Sequence, residues 1–521
     1  MTSRFPRNYK QTQESMAPIR YKSTRGGQKG LSFEDVVLGG LATDKGLYVP
    51  ESIPVISMSE LEQLRPLSYI DLSFYVISRY ISNDDVNHEI LKDILTRSFS
   101  TFRHPDVTPL NKINNDYSIL ELFHGPTFAF KDVALQFLGN LFEHFLVKGK
   151  IQSSITILGA TSGDTGSAAI HGLRGKKNVN CFIMYPNGKV TEVQEKQMTT
   201  IPDKNVHCIS INGDFDDCQA LVKKAFADVQ FRDDVKLGAI NSINWARVLA
   251  QITYYFYSWL RITDNNKNSQ QKVNYAVPTG NFGDILAGFY AKRMGLPIGK
   301  LVVAANENDV LHRFFETGEY SKAPCLMTIA PSMDISISSN FERYLLYLAD
   351  ENTTTLANWM NTFESTGKMS VDKKLLNKAR DDFCSYSSNK ESIVNCMIDV
   401  YKKDKYLLCP HTATSVIAVQ KLNLLSPYTI CLATAHPAKF EEAEKLALGY
   451  IPPRPKELEA LYSLPTRTTN MNNNLDSVKK FMKTKLVSKQ DNTGSVIAKF
   501  ILSGIALFTV GLIVKDSIKK K

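Results

Sequence analysis

Lys131 stands in the stretch ELFHGPTFAFKDVALQF, residues 121–137, directly after a short turn and at the head of an apolar helical run. A helix N-terminus carries partial positive charge, so an ammonium is disfavoured there and the neutral amine is favoured. A neutral lysine amine is a nucleophile. On position alone, a solvated surface charge is the simpler reading of Lys131. The other strand-to-helix turns of the chain shift that balance.

TGNFGD, residues 279–284, follows a β-rich run and opens a helical one. Its backbone N–H groups can converge on an anion, and its glycines allow close approach, which makes Gly280, Asn281, Phe282 and Asp284 candidate binding residues. The stretch is not GxGxxG and lacks the GK[ST] of a nucleoside-triphosphate loop, so a single phosphate fits best. GATSGDTGSAA, residues 159–169, is a second loop of this kind; Thr161 and Ser162 give it hydroxyls for a carboxylate or another phosphate. NSINWARVLAQITYY, residues 241–255, sets Asn241, Ser242 and Arg247 at a helix start. Arg247 is there either a helix-surface charge or an anion contact. CLATAHPAKF, residues 431–440, ends a strand with the neutral hydroxyl of Thr434. A nucleophilic lysine, a one-phosphate cradle, a second anion loop and a neutral hydroxyl suit pyridoxal phosphate and an anionic amino-acid substrate. The aldehyde would condense with Lys131, the phosphate would sit on residues 280–284, and the pyridine nitrogen needs one partner.

These turns need a scaffold that brings strand ends together. From about residue 117 a short β-rich run, a turn and a helical pattern recur: YSILELF leads to Lys131, SSITILGA to TSGDTG, and VNYAVPT to GNFGD. Such alternation predicts a parallel sheet with crossover helices. Residues 19–105 read mostly as helices and form a separate N-terminal domain. The α/β body covers 106–465, interrupted by a helical insertion at about 340–405. Residues 466–490 read as a polar linker, TTNMNNN, and a terminal helix, DSVKKFMKTKL.

The chain has 521 residues, 43% hydrophobic and 22% charged, which is globular composition. Its net charge of +10 is unevenly placed: residues 1–30 carry +6 and residues 475–521 carry +7, leaving the body between them mildly acidic. That distribution argues against a nucleic-acid groove through the fold. Eight cysteines are scattered without CxxC or His at metal-ligand spacing, so a reduced protein with no structural metal is expected. The basic extension 1–18 has no apolar h-region and is no secretory signal. A mitochondrial presequence suits its arginines, but Pro6 and the missing apolar face weigh against one.

Taken together, these stretches resemble the threonine synthase family, in the longer branch found in fungi and many bacteria. The motifs STRGGQKGLSFEDVVLGGLATDKGLYVP, ELFHGPTFAFKDVALQF, LGATSGDTGSAAI, MYPNGKVTEVQEKQM, NSINWARVLAQITYY, VPTGNFGDILAGFYAKRMGLP, APSMDISISSNFERYL, HTATSV and LATAHPAKFEEAE run in the family's order from about residue 20 to 460. The resemblance implies an α/β fold of pyridoxal-phosphate fold type II (tryptophan synthase β-like), preceded by the family's N-terminal domain. It implies a lyase that turns O-phospho-L-homoserine and water into L-threonine and phosphate, the last step of threonine biosynthesis. Lys131 would then be the Schiff-base lysine and the catalytic base, residues Gly280, Asn281, Phe282 and Asp284 the cofactor-phosphate loop, and Thr434 the partner of the pyridine nitrogen. The substrate phosphate needs its own site, for which Thr161, Ser162, Asn241, Ser242 and Arg247 are the candidates. The competing readings are another enzyme of the same fold, such as threonine dehydratase or cysteine synthase, and a non-catalytic relative kept as a binding or scaffold module. The N-terminal LATDKGLYVP domain disfavours the first, and the intact lysine and phosphate loop disfavour the second.

Beyond the family motifs lies SVIAKFILSGIALFTVGLIVKDSIKKK, in which Phe500 to Val514 contains no charge. A helix over 496–514 would span about 28 Å against a hydrocarbon core of about 30 Å. Lysines on both sides and the polar SKQDNTG before it suit a membrane span. The expectation is a C-terminal tail anchor that leaves the catalytic body in the cytosol, at the mitochondrial outer or endoplasmic reticulum membrane.

Overall fold

The computed structural model describes residues 18–148, 154–264 and 270–486. Two sheets carry the α/β body. The larger orders its strands Phe383–Ser387, Ile298–Ala305, Val273–Pro278, Thr429–Ala433, Ser118–Glu121 and Leu110–Lys112, and only the last pair is antiparallel. The smaller runs Thr468–Asn472, Val206–Asn212, Val179–Pro186, Ile155–Ala160 and Leu237–Gly238, parallel throughout. Strands such as VNYAVP and TICLA are apolar along their length because a parallel sheet is covered on both faces.

Four helices begin at the four turns singled out above: α1 (Lys131–Lys148), α2 (Asp164–Leu173), α3 (Trp245–Ile262) and α4 (Gly283–Arg293). The strand before α1 belongs to the larger sheet and the strand before α2 to the smaller one. The two helices cross with their backbones touching: a Cβ on Gly139 would run into the Gly172 carbonyl oxygen, and one on Gly172 into that of Leu135. Only glycine permits this approach, and it brings the starts of α1 and α2 together.

Ahead of the body, helices Phe33–Gly39, Met58–Leu64, Tyr69–Ile77 and His88–Phe99 accompany an antiparallel pair, Tyr21–Ser23 with Tyr48–Pro50. Capping boxes at Ser32 with Asp35 and at Ser57 with Glu60 fix two helix starts. This layer is bound to the body by ionic contacts: Arg25 donates to both carboxylate oxygens of Glu342, each at 3.0 Å.

Two stretches differ from the reading above. The passage 340–405 is not wholly helical, because Phe383–Ser387 within it forms the outer strand of the larger sheet. TTNMN is a strand rather than a linker, pairing Thr468–Asn472 with Cys208–Asn212. Its polar side chains suit a strand with one open edge, and the neighbouring Val206–Asn212 strand supplies the backbone partners that sequence alone does not reveal. Helical structure follows from 475 to 486. The basic extension through residue 17 and the run 496–514 lie outside the described residues. Among the described residues, no helix is long and apolar enough to cross a membrane, and no cluster of metal-ligating side chains occurs.

Candidate active site

Lys131 is the first residue of α1, as its sequence position predicts. The turn before it is pinned to the end of the Thr429–Ala433 strand: Phe130 N–H donates to Thr434 O at 2.8 Å, and His436 N–H to Phe128 O at 3.1 Å. Phe128 takes a left-handed φ of 58° to make the reversal. Thr127 donates its N–H and hydroxyl to the Asp132 carboxylate, both at 2.7 Å, closing the turn. Burial pushes the Asp132 carboxyl up to about 6 against those two bonds.

The Lys131 amine lies 3.5 Å from Asp164 Oδ2. Asp164 is also held by the Lys439 ammonium at 2.7 Å, Gln194 Nε2 at 2.9 Å and the Ser332 hydroxyl at 3.0 Å. Burial alone would raise its pKa. The charges of Lys439 and Lys131, with hydrogen bonds from Lys439 and Gln194, outweigh burial and hold the carboxyl well below the usual carboxylate range. Burial lowers the pKa of Lys131; Asp164 opposes that, and Lys439 and Arg247 add to it. The lowered basicity expected from the helix terminus therefore has desolvation as its largest cause.

The TGNFGD turn carries its Phe282 at φ 60°, in the left-handed region, just before α4. None of the backbone N–H groups from Gly280 to Ile285 has an acceptor among the described residues. Residues 338–340 brace this loop: the Ser338 hydroxyl donates to Gly280 O at 2.7 Å, Asn340 Nδ2 to Asn281 O at 2.9 Å, and the Ser339 hydroxyl to Asn281 Oδ1 at 3.0 Å. A Cβ on Gly280 would sit 3.1 Å from Met333 Cα, so the loop lies against the turn that contributes Ser332 to Asp164. The Asp284 side chain corrects the sequence reading. It points into the core, accepting from Tyr254 OH at 2.5 Å and Tyr255 OH at 2.9 Å, with burial pushing its pKa up to about 6. A carboxylate turned to the loop would repel a phosphate; only the Asp284 backbone N–H belongs to the cradle.

Ser242 joins the same cluster through a 2.8 Å hydrogen bond with Ser339. Arg247 is buried, which excludes a helix-surface charge. It pairs with no carboxylate among the described residues, its one acceptor being Ile240 O at 3.5 Å, and its Nε has no partner. Burial pushes this guanidinium down to about 10. A buried cation without a counter-ion is costly, and an anionic ligand would relieve that cost. Asn241 and Ser162 are exposed, whereas the Thr161 oxygen turns inward to accept from Gly163 and Gly166 N–H at 2.9 and 2.8 Å. Thr161 thereby shapes its loop.

Residues that sequence reasoning passed over complete the site: Gln194, Ser332, Ser338, Ser339, Asn340, Arg343 and Lys439. Arg343 is fully buried and donates to Tyr48 O at 2.8 Å, Asn340 Oδ1 at 2.5 Å and Ile243 O at 2.6 Å. It thus ties the N-terminal layer to the segment that braces the TGNFGD loop and to the Asn241–Arg247 segment. The stretches APSMDISISSNFERYL and LATAHPAKF contain most of these residues, so the signal was present but unassigned.

Comparison with known proteins matches the family description "Pyridoxal-phosphate dependent enzyme" over residues 103–357. The cofactor suits this site: the cradle of unpaired N–H groups can take its phosphate, Thr434 has a hydroxyl with no hydrogen-bond partner among the described residues, and the Lys131 amine follows directly on the turn that Thr434 pins. Fold and site together define a pyridoxal-phosphate-dependent α/β lyase. "Threonine synthase N terminus" matches residues 20–99 and "Threonine synthase, C-terminal" residues 412–482. Threonine synthase of Schizosaccharomyces pombe is 50% identical over 462 residues, 83% of this chain and 90% of that protein. The crystal structure of PLP-bound threonine synthase from Brucella melitensis superposes with a TM-score of 0.86 at 40% identity, covering 90% of this chain and 99% of that one. The yeast threonine synthase structure gives 0.85 at 43% identity, covering 91% and 100%. The chain belongs to the threonine synthase family.

The placement of Asp284 separates two variants of one loop. Asp284→Ala removes the carboxylate oxygen that the Tyr254 and Tyr255 hydroxyls share, leaving them Gln251 Oε1 and the residue-284 backbone carbonyl as acceptors, and is expected to lower folding stability by about 1–3 kcal/mol. Asn281→Ala is expected to weaken pyridoxal phosphate binding roughly ten- to hundred-fold with little loss of stability. Denaturant unfolding and cofactor titration of both variants check this; equal stability losses would contradict the assignment.

Proposed function

We propose that the chain converts O-phospho-L-homoserine and water into L-threonine and phosphate, on a fold type II pyridoxal-phosphate scaffold. The observation that carries this reading is a largely enclosed lysine amine, 3.5 Å from Asp164, together with a buried arginine that has no carboxylate partner among the described residues. A substrate with both a carboxylate and a phosphate supplies anions for two sites apart from the cofactor's own.

Bound pyridoxal phosphate supplies the electron sink that lets the substrate lose protons at Cα and Cβ. Backbone N–H groups of Gly280 to Ile285 would hold its phosphate, and the Thr434 hydroxyl would serve as the partner of its ring nitrogen. Lys131 Nζ, unprotonated, accepts the Cα proton. Arg247 carries the main charge against the substrate phosphate, with Asn241, Ser242, Ser162 and the backbone around Thr161 as further donors. Phosphate departs from Cγ and water adds at Cβ, so one water is consumed for each phosphate released.

The catalytic body is assigned to the cytosol. The charge-free run within 496–514 is proposed, on its sequence, as an anchor in the mitochondrial outer or endoplasmic reticulum membrane, to be tested by cell fractionation with and without residues 495–521.

Arg247→Gln is expected to raise KM for O-phospho-L-homoserine roughly ten- to hundred-fold while the visible absorption of bound cofactor persists. Phosphate release from O-phospho-L-homoserine and ammonia release from threonine are measured in parallel. An unchanged KM would move the substrate anion elsewhere, and ammonia as the dominant product would assign the chain to a different lyase reaction.

A further inference from the structure

Lys439 is wholly buried, yet its ammonium lies 2.7 Å from Asp164 Oδ1 and 2.8 Å from the Thr127 carbonyl oxygen. Gln197 Nε2 donates to the same carbonyl at 3.0 Å. A buried ammonium is tolerated only when paired and hydrogen-bonded, and Lys439 meets both conditions. Its two partners are the carboxylate nearest Lys131 and the turn that delivers Lys131 to the site. Asp164 consequently stands between two lysines, with Lys439 close on one oxygen and Lys131 at 3.5 Å from the other.

One carboxylate cannot neutralise two ammonium ions in a dry site, so the better-bonded lysine takes its charge. We propose that Lys439 is a positioning residue that engages the charge of Asp164 and so leaves Lys131 as a neutral amine. The proposal deepens the reading of Lys131 as the cofactor lysine and rests on it for the purpose of that neutrality.

The remaining charged groups around Lys131 do not replace this arrangement. Asp132, next to it in α1, is engaged by Thr127. His411 accepts the Ser332 N–H at Nε2, at 3.1 Å, and burial pushes its pKa down to about 3, so it carries no charge at neutral pH. Arg247 is a cation and acts on Lys131 in the same direction as Lys439. Asp164 is therefore the group able to hold a proton on Lys131, and Lys439 is what competes for it.

Basicity of Lys131 is read directly on the full-length chain freed of cofactor. Short pulses of formaldehyde and cyanoborohydride from about pH 6 to about pH 11 methylate the unprotonated amine, and mass spectrometry of the Lys131 peptide gives the midpoint. Lys439→Met is expected to raise that midpoint by about one pH unit or more, because Asp164 is left with Lys131 as its lysine partner. Lys439→Arg, which keeps the charge, is expected to leave it in place. The double variant Asp164→Asn/Lys439→Met removes both charges, leaves neither of them unpaired, and is expected to return the midpoint to the wild-type value. A wild-type midpoint in folded Lys439→Met, or an equal rise in Lys439→Arg, would overturn the proposal. Should Lys439→Met fail to fold, the double variant decides: a midpoint well below wild type would mean that Asp164 acted on Lys131 alone. Failure of the cofactor assignment is distinguishable, since it would appear as cofactor bound away from Lys131 with this titration unchanged.

Discussion

A lysine amine that reacts with a carbonyl must be kept dry enough to lose its proton and still face an open site, and the architecture is arranged around that demand. Desolvation is the largest influence on Lys131, and a buried amine without control of its surroundings would be held protonated by the first carboxylate it met. Asp164 is such a carboxylate, and it is already engaged by Lys439, Gln194 and Ser332. The close crossing at Gly139 and Gly172 fixes the distance between the two helix starts that carry Lys131 and Asp164. A side chain at either glycine would separate the helices and with them the groups whose charges must balance.

The same economy of charge explains how anions are received. The body between the basic ends is mildly acidic, yet Arg247 is buried in it with no carboxylate partner among the described residues. That uncompensated guanidinium sits in low dielectric, where an anion is attracted more strongly than in water. Backbone N–H groups at Gly280 to Ile285 add donors that carry no formal charge. Arg343 and the Ser338–Asn340 segment hold these donors in register with the Asn241–Arg247 segment and with the N-terminal layer. The N-terminal residues thus contribute rigidity to the site through the Tyr48 and Val37 carbonyls, which accept from Arg343 and Asn244.

Much of this was legible because the chemistry sits on strand-to-helix turns, where glycine and hydroxyl residues are conspicuous. Lys131, the TGNFGD turn and the start of α3 all fall where the alternation of β-rich and helical runs placed them. Side-chain direction was not legible. Asp284 looked like a loop residue, but α4 turns it toward Tyr254 and Tyr255, which are a helix away in sequence. Lys439 was hidden because a lysine after a Pro-Ala pair has no periodic signature; its role comes from contacts with residues 127 and 164, far off in the chain. The polar TTNMN strand was missed for a similar reason, since an edge strand is defined by the neighbour it pairs with.

Borohydride reduction of the purified full-length protein, followed by mass spectrometry of its peptides, tests the central assignment most directly. The account predicts loss of the visible absorption on reduction, with one pyridoxyl group per chain, on Lys131. Recovery of that group on Lys439 or on any other lysine, with Lys131 unmodified, would contradict it.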